Sequence, residues 1–138
     1  EKEMGLINFY WHQLWLRREI AKESRSKVNI PVRLNTVDKF QAMERNIIIV
    51  STVRSNQVID KGKIRPNRDI GFEKSTQRLN VALSRAKRLL IVVGNKNFFS
   101  QYQNNTGDRI YKNVVEIIGH EGMIINYNEL KKKFSNDK

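Results

Sequence analysis

The sequence predicts an α/β domain with a mostly parallel central sheet, and three observations lead there. Two short, solidly apolar runs, Ile-Ile-Ile-Val at 47–50 and Leu-Leu-Ile-Val-Val at 89–93, each follow a polar cluster. Runs rich in branched residues and bounded by polar or Gly positions read as strands buried on both faces of a parallel sheet. Apolar residues also recur at helical spacing, at Leu79, Ala82, Leu83 and Ala86, and again at Ile110, Val114, Ile117 and Ile118. Strands alternating with helices at such intervals specify an α/β layer architecture.

The elements follow in order. Residues 5–9 read as a strand, and 10–24 as a helix carrying Leu14, Trp15, Arg17 and Arg18. Pro31 introduces a short strand in which Val32 and Leu34 alternate, ending at Asn35 and Thr36. Residues 38–43 make a single turn before the strand 46–53. The stretch 54–71 has Gly62, Pro66, Gly71 and basic residues without a period, and reads as a loop. A helix at 76–86 and a strand at 88–93 come next, then a short helix near 97–103 and a helix over 108–119. Residues 123–125 suit a last strand. Asn126 and Glu129 form a capping pair that opens a terminal helix, 129–134.

At 138 residues the chain is one domain with a single core. It has no cysteine, which excludes disulfides, zinc ribbons and thiol chemistry, and His12 and His120 have no partners at metal-ligand spacing, so no metal site is expected. The longest apolar runs fall far short of a membrane span, and the opening Glu1-Lys2-Glu3 is unlike a signal peptide, so an intracellular protein without a membrane is expected. The chain opens without Met, almost directly on a strand, as a piece of a longer protein does. Lys and Arg number 26 against 14 acidic residues, a formal charge of +12. Such a surplus on a small domain points to a polyanion such as nucleic acid.

The polar clusters carry the candidate chemistry. Gln41 and Glu44 lie before one apolar run, and Ser84-Arg85-Ala86-Lys87-Arg88 before the other. In parallel sheets ligands bind outside the strand ends, so both clusters are expected to face one anion-binding cleft. On a helix at 76–86, Arg78 and Arg85 share a face, with Arg88 just beyond its end.

These segments resemble motifs V and VI of superfamily 1 helicases, in the group that includes the nonsense-mediated-decay RNA helicase and the Okazaki-fragment helicase-nucleases. The resemblance rests on Thr36-Val-Asp-Lys-Phe-Gln-Ala-Met-Glu-Arg-Asn46, Ser51-Thr-Val-Arg-Ser-Asn56, Gly71-Phe72 and Gln77-Arg-Leu-Asn-Val-Ala-Leu-Ser-Arg-Ala86. The opening Gly5-Leu-Ile-Asn-Phe-Tyr-Trp-His-Gln13 is similar to the family's Gly-x-Ile-x-x-Tyr-x-x-Gln segment. Motif order and spacing agree over about residues 5–95. The resemblance implies a RecA-like, three-layer P-loop NTPase domain of the AAA type, the second motor lobe of an ATP-dependent helicase, occupying 1–138 as a fragment of a longer helicase.

By that resemblance Arg85 is the arginine finger, and Gln41, Glu44, Arg78 and Gln13 are nucleotide-binding, with Glu44 accepting from ribose hydroxyls. For Arg78, contact with phosphate, contact with the facing lobe and simple solvation remain open. Thr36, Thr52, Arg54 and Asn56 are placed on single-stranded DNA or RNA, where hydroxyls and amides position the backbone without reading sequence. Lys61, Lys63, Arg65 and Arg68 either add electrostatic affinity or lie in an exposed loop, and Trp11 and Trp15 read more readily as core or lobe-interface residues than as base-stacking ones. The implied cofactor is ATP with Mg2+. The phosphate-binding loop and the magnesium carboxylates belong to the N-terminal RecA-like lobe, the implied partner, and no G-x-x-x-x-G-K-[ST] occurs in the sequence. The isolated fragment is therefore expected to be inactive. The chain departs from the family pattern at Ala42, where glycine is usual, and at Asn46, where aspartate is usual. Glycine serves where backbone approaches phosphate or adopts positive φ, so these two positions keep an alternative in view: a non-catalytic module, derived from a helicase lobe, that binds nucleic acid or protein.

Overall fold

The computed structural model describes residues 3–10, 32–52, 75–102 and 109–135. The helix expected at 10–24, the loop at 54–71, and Gln13, Arg54 and Asn56 lie outside these residues, as do Trp11, Trp15, His12 and the loop basics. The chain forms two compact units, Glu1–Phe98 and Phe99–Lys138.

The first unit holds four strands: β1 (Met4–Asn8), β2 (Val32–Thr36), β3 (Arg45–Ser51) and β4 (Ala86–Val93). They form one sheet in the order β2-β1-β3-β4, and every pairing is parallel. Asn8 pairs in register with Thr36 on one side and Ser51 on the other, while Ser51 pairs with Val93. The carboxyl ends of the strands therefore line up.

The connection from β2 to β3 is short for a parallel crossover, only residues 37–44, and it must pass β1 to reach its strand. It does so as a 3₁₀ turn, Val37–Phe40, whose Val37 and Phe40 are buried. A side chain on Gly5 of β1 would put Cβ 2.7 Å from Ile48 Cδ1 and 2.8 Å from Phe40 Cε1. Glycine at that position is what lets the Phe40 ring lie against the sheet. Helix α1 (Thr76–Leu83) supplies Leu79 and Ala82 to the same core, with Ile7, Ile48 and Val50. The Ser75 hydroxyl caps α1 by accepting from the Arg78 amide at 3.3 Å.

Three sequence expectations are corrected here. Helix α1 stops at Leu83, not 86: the Ser84 amide bonds the Asn80 carbonyl as a C-cap, and Ala86 already belongs to β4. Ala86 matched the helical period, but its backbone serves the sheet, so Arg85 lies in the turn and shares no helix face with Arg78. Strand β4 is not buried on both faces, because it is an edge strand of this sheet and Leu89 and Val93 are about half exposed. Residues 123–125 form no strand; Met123, Ile124 and Ile125 are exposed and irregular.

Helix α2 (Lys96–Gln101) begins after Asn95, whose side-chain oxygen accepts from the Phe98 amide at 3.0 Å. In the second unit, α3 (Ile110–Glu121) carries Tyr111, whose ring lies 4.3 Å from Phe99 and 6.4 Å from Tyr102, centroid to centroid. Helix α4 (Tyr127–Ser135) is opened by the expected pair, with the Asn126 amide donating to Glu129 Oε2 at 3.3 Å. Among the described residues no helix is long and apolar enough to cross a membrane.

Candidate functional site

The two polar clusters meet at the amino ends of β3 and β4. Arg45 and Ala86 are register partners at the start of these strands, and the Arg45 amide donates to the Arg85 carbonyl at 3.0 Å. Parallel pairing of two consecutive apolar runs necessarily brings together whatever precedes each. Glu44 and Arg85 are thereby neighbours in the fold although forty-one positions apart in sequence. Glu44 Oε2 lies 3.5 Å from Lys87 Nζ, an exposed ion pair of small energetic value.

Arg85 holds itself on the end of α1. Its Nε donates to the Val81 carbonyl at 3.1 Å and its Nη2 to Ser84 Oγ at 3.0 Å. The last carbonyls of a helix carry partial negative charge and favour a cation there. Among the described residues no carboxylate is bonded to it.

Ala42 sits in the turn between the 3₁₀ segment and β3 with φ 60, a left-handed conformation. The backbone thus keeps the shape that glycine supports, at a cost of ~1–2 kcal/mol for an L-residue. Met43 closes the turn by donating its amide to the Phe40 carbonyl at 3.1 Å. Gln41 and Glu44 are exposed around this turn.

Arg78 is not simply solvated. Its Nε lies 3.0 Å from Asp38 Oδ1 and its Nη2 3.5 Å from Asp38 Oδ2, a two-point grip from α1 onto the 3₁₀ turn. Arg78 thus ties the segment after β2 to α1, across forty residues of sequence.

The two described nucleic-acid candidates, Thr36 and Thr52, lie at the other edge. Thr36 ends β2 and leads into the 3₁₀ turn without a capping bond from its side chain. Thr52 follows β3, and its amide and hydroxyl both donate to the Val93 carbonyl, at 2.9 and 3.2 Å. Among the described candidates, Glu44 and Arg85 lie at the amino ends of β3 and β4, whereas Thr36 and Thr52 lie at the carboxyl ends of β2 and β3, the edge where parallel sheets usually bind ligands.

Two residues escaped the sequence reading. Arg45 keeps a buried Nε without a hydrogen-bond partner at the amino edge, while its Nη1 donates to the Glu44 carbonyl at 2.6 Å. Asn8, at the end of β1, is fully buried with neither side-chain atom paired. A polar residue closing an apolar strand was the only signal for Asn8. Among the described residues no group of three or more His, Cys, Asp or Glu is arranged to hold a metal ion.

Comparison with known proteins joins these features to a family. A family model described as an AAA domain matches residues 1–97. An uncharacterized ATP-dependent helicase of Methanocaldococcus jannaschii is 38% identical over 88 residues, 64% of this chain and 11% of that protein. The DNA polymerase alpha-associated DNA helicase A of Schizosaccharomyces pombe is 38% identical over 96 residues, 70% of this chain and 13% of its own length. Helicase SEN1 of Saccharomyces cerevisiae is 34% identical over 95 residues, 68% of this chain and 4% of its own. The matched segment spans between 4% and 13% of the length of these relatives. With the parallel sheet and the motif order, these matches place the chain in the AAA-domain family of superfamily 1 helicases.

Proposed function

We propose that this chain is the second motor lobe of an ATP-dependent helicase, closing over a nucleotide held by an N-terminal RecA-like lobe. The observation that carries the proposal is the meeting of Arg85 and Glu44 at the amino ends of β3 and β4, fixed by the 3.0 Å Arg45–Arg85 backbone bond. A guanidinium suits the oxygens of a transferring phosphoryl group, and a carboxylate suits ribose hydroxyls, so the two belong at opposite ends of one nucleotide. Gln41 and Ala42 form the turn beside Glu44, and the buried Arg45 Nε adds an unspent donor. Arg78 acts here by tying the 3₁₀ turn to α1 through Asp38 rather than by touching phosphate.

Arg85 must release Val81 and Ser84 to act. Those bonds are worth ~1 kcal/mol each, against ~4–7 kcal/mol of barrier for an arginine finger, so their loss is small beside the gain. Thr36 and Thr52, and by resemblance Arg54 and Asn56, serve single-stranded DNA or RNA at the carboxyl edge. Magnesium belongs to the other lobe's carboxylates.

The test is Arg85→Ala in the full-length protein. Most of kcat should be lost while ATP and single-strand binding persist, because the finger acts on charge that develops in the transition state. Arg85→Lys should rescue little, since it keeps the charge and loses the planar fork. A kcat within about twofold of the parent, on the scale where tenfold is about 1.4 kcal/mol, would move the chain to the alternative reading, a non-catalytic binding module.

A further inference from the structure

The carboxyl edge of the sheet holds a group that the nucleotide edge does not use. Asn8 is 0% exposed, and neither Nδ2 nor Oδ1 has a hydrogen-bond partner among the described residues. Leaving buried amide groups unpaired is costly, and such a residue marks a place held for a partner that arrives.

Its position says what kind of partner. The chain runs from β1 outward to β2 on one side, then to β3 on the other, so the winding reverses between β1 and β3. In open parallel sheets the ligand crevice opens outside the carboxyl ends at that reversal. Asn8 and Ser51 are the last residues of those two strands, and Thr36 completes the row across β2, β1 and β3. Three adjacent strands thus end in neutral side chains able both to donate and to accept hydrogen bonds.

We propose that Asn8 bonds a ribose 2′-hydroxyl of the bound single strand, so that this lobe prefers RNA to DNA. The inference rests on the motor-lobe reading above. Asn8 leaves one donor group and one acceptor unsatisfied together, so its partner must both accept and donate. A ribose hydroxyl does both, as a water does, and of the two only the 2′-hydroxyl separates RNA from DNA. Phosphate and deoxyribose oxygens only accept, which leaves Oδ1 orphaned. Phosphate also calls for cations or backbone amides, and the row of Thr36, Asn8 and Ser51 carries no charge. A base edge offers both functions, but a motor that moves along any sequence gains nothing from reading bases. Because Asn8 is covered, the strand reaches it only when that edge rearranges.

The experiment measures binding of the full-length protein to matched single strands of oligouridine RNA, its 2′-O-methyl form and oligodeoxyuridine. The 2′-O-methyl sugar accepts and cannot donate, so it separates hydroxyl recognition from sugar pucker. The parent should bind RNA about two- to tenfold more tightly than either analogue, the value of one neutral hydrogen bond. Asn8→Leu, which keeps the branched outline with bulkier methyl groups and has neither donor nor acceptor, should bind all three equally, at the deoxy value. A parent without RNA preference overturns the proposal, and that comparison needs no variant. Preference retained in Asn8→Leu also overturns it. If no single strand of any kind binds, the motor-lobe reading fails as well; if all three bind alike, this inference fails alone.

Discussion

Replacing Ala42 by glycine should stabilise the chain, against the usual effect of introducing glycine. Ala42 holds φ 60 in the turn that leads into β3. In that region Cβ crowds the following carbonyl oxygen, at ~1–2 kcal/mol for an L-residue. Glycine removes this strain but frees the unfolded backbone, which costs ~0.4–1 kcal/mol. The difference is a net gain of about 0.5–1 kcal/mol, or a rise of about 2–3 °C in melting temperature for a domain of this size. No other term competes, because Ala42 is exposed and its methyl fills no core space. The assay is thermal and urea unfolding of the 138-residue chain, with the urea slope unchanged if only native strain is relieved. An Ala42→Gly variant that melts at or below the parent would refute the strain argument and imply that the turn relaxes in solution.

Two further outcomes follow from the same structure. Gly5→Ala should destabilise by ~1–3 kcal/mol, the range for overpacking a core, because the new Cβ would lie 2.7 Å from Ile48 and 2.8 Å from the Phe40 ring; an unchanged melting temperature would mean that Phe40 moves aside freely. If the +12 charge serves nucleic acid, single-strand affinity should fall with log[salt] at a slope of ~0.7 per phosphate contact. Affinity equal at low and physiological salt would mark the basic excess as compositional.

The strands and their order along the chain were legible because β3 and β4 carry short apolar runs bounded by polar or glycine positions, while β2 shows the alternation of Val32 and Leu34 after Pro31. The capping pair Asn126 and Glu129 was legible for a local reason, the fixed distance from an N-cap amide to a side chain three residues on. The end of α1 was not: Ala86 satisfies the helical period, yet Ser84 caps the helix and the parallel pairing of Arg45 with Ala86 claims the next residues. The exposure of Leu89 and Val93 was hidden because an apolar run does not say whether its strand is central or at an edge. For the site, the meeting of Glu44 and Arg85 followed from parallel pairing alone. The Arg78–Asp38 grip did not, since it depends on how α1 faces a turn forty residues earlier. The unpaired state of Asn8 was equally out of reach, because satisfaction of an amide is a property of its neighbours and not of its own position.

The central claim, that Arg85 acts on charge appearing in the transition state, is tested most directly with a transition-state mimic. Full-length protein, with and without Arg85→Ala, is titrated with ADP alone and with ADP plus aluminium fluoride and Mg2+, whose fluoroaluminate occupies the place of the transferring phosphoryl group. The account predicts that Arg85→Ala leaves ADP affinity nearly unchanged and weakens the mimic by about the factor lost from kcat, on the order of 10³ or more. Equal affinity of parent and variant for the mimic, or an equal loss for ADP and the mimic, would contradict it.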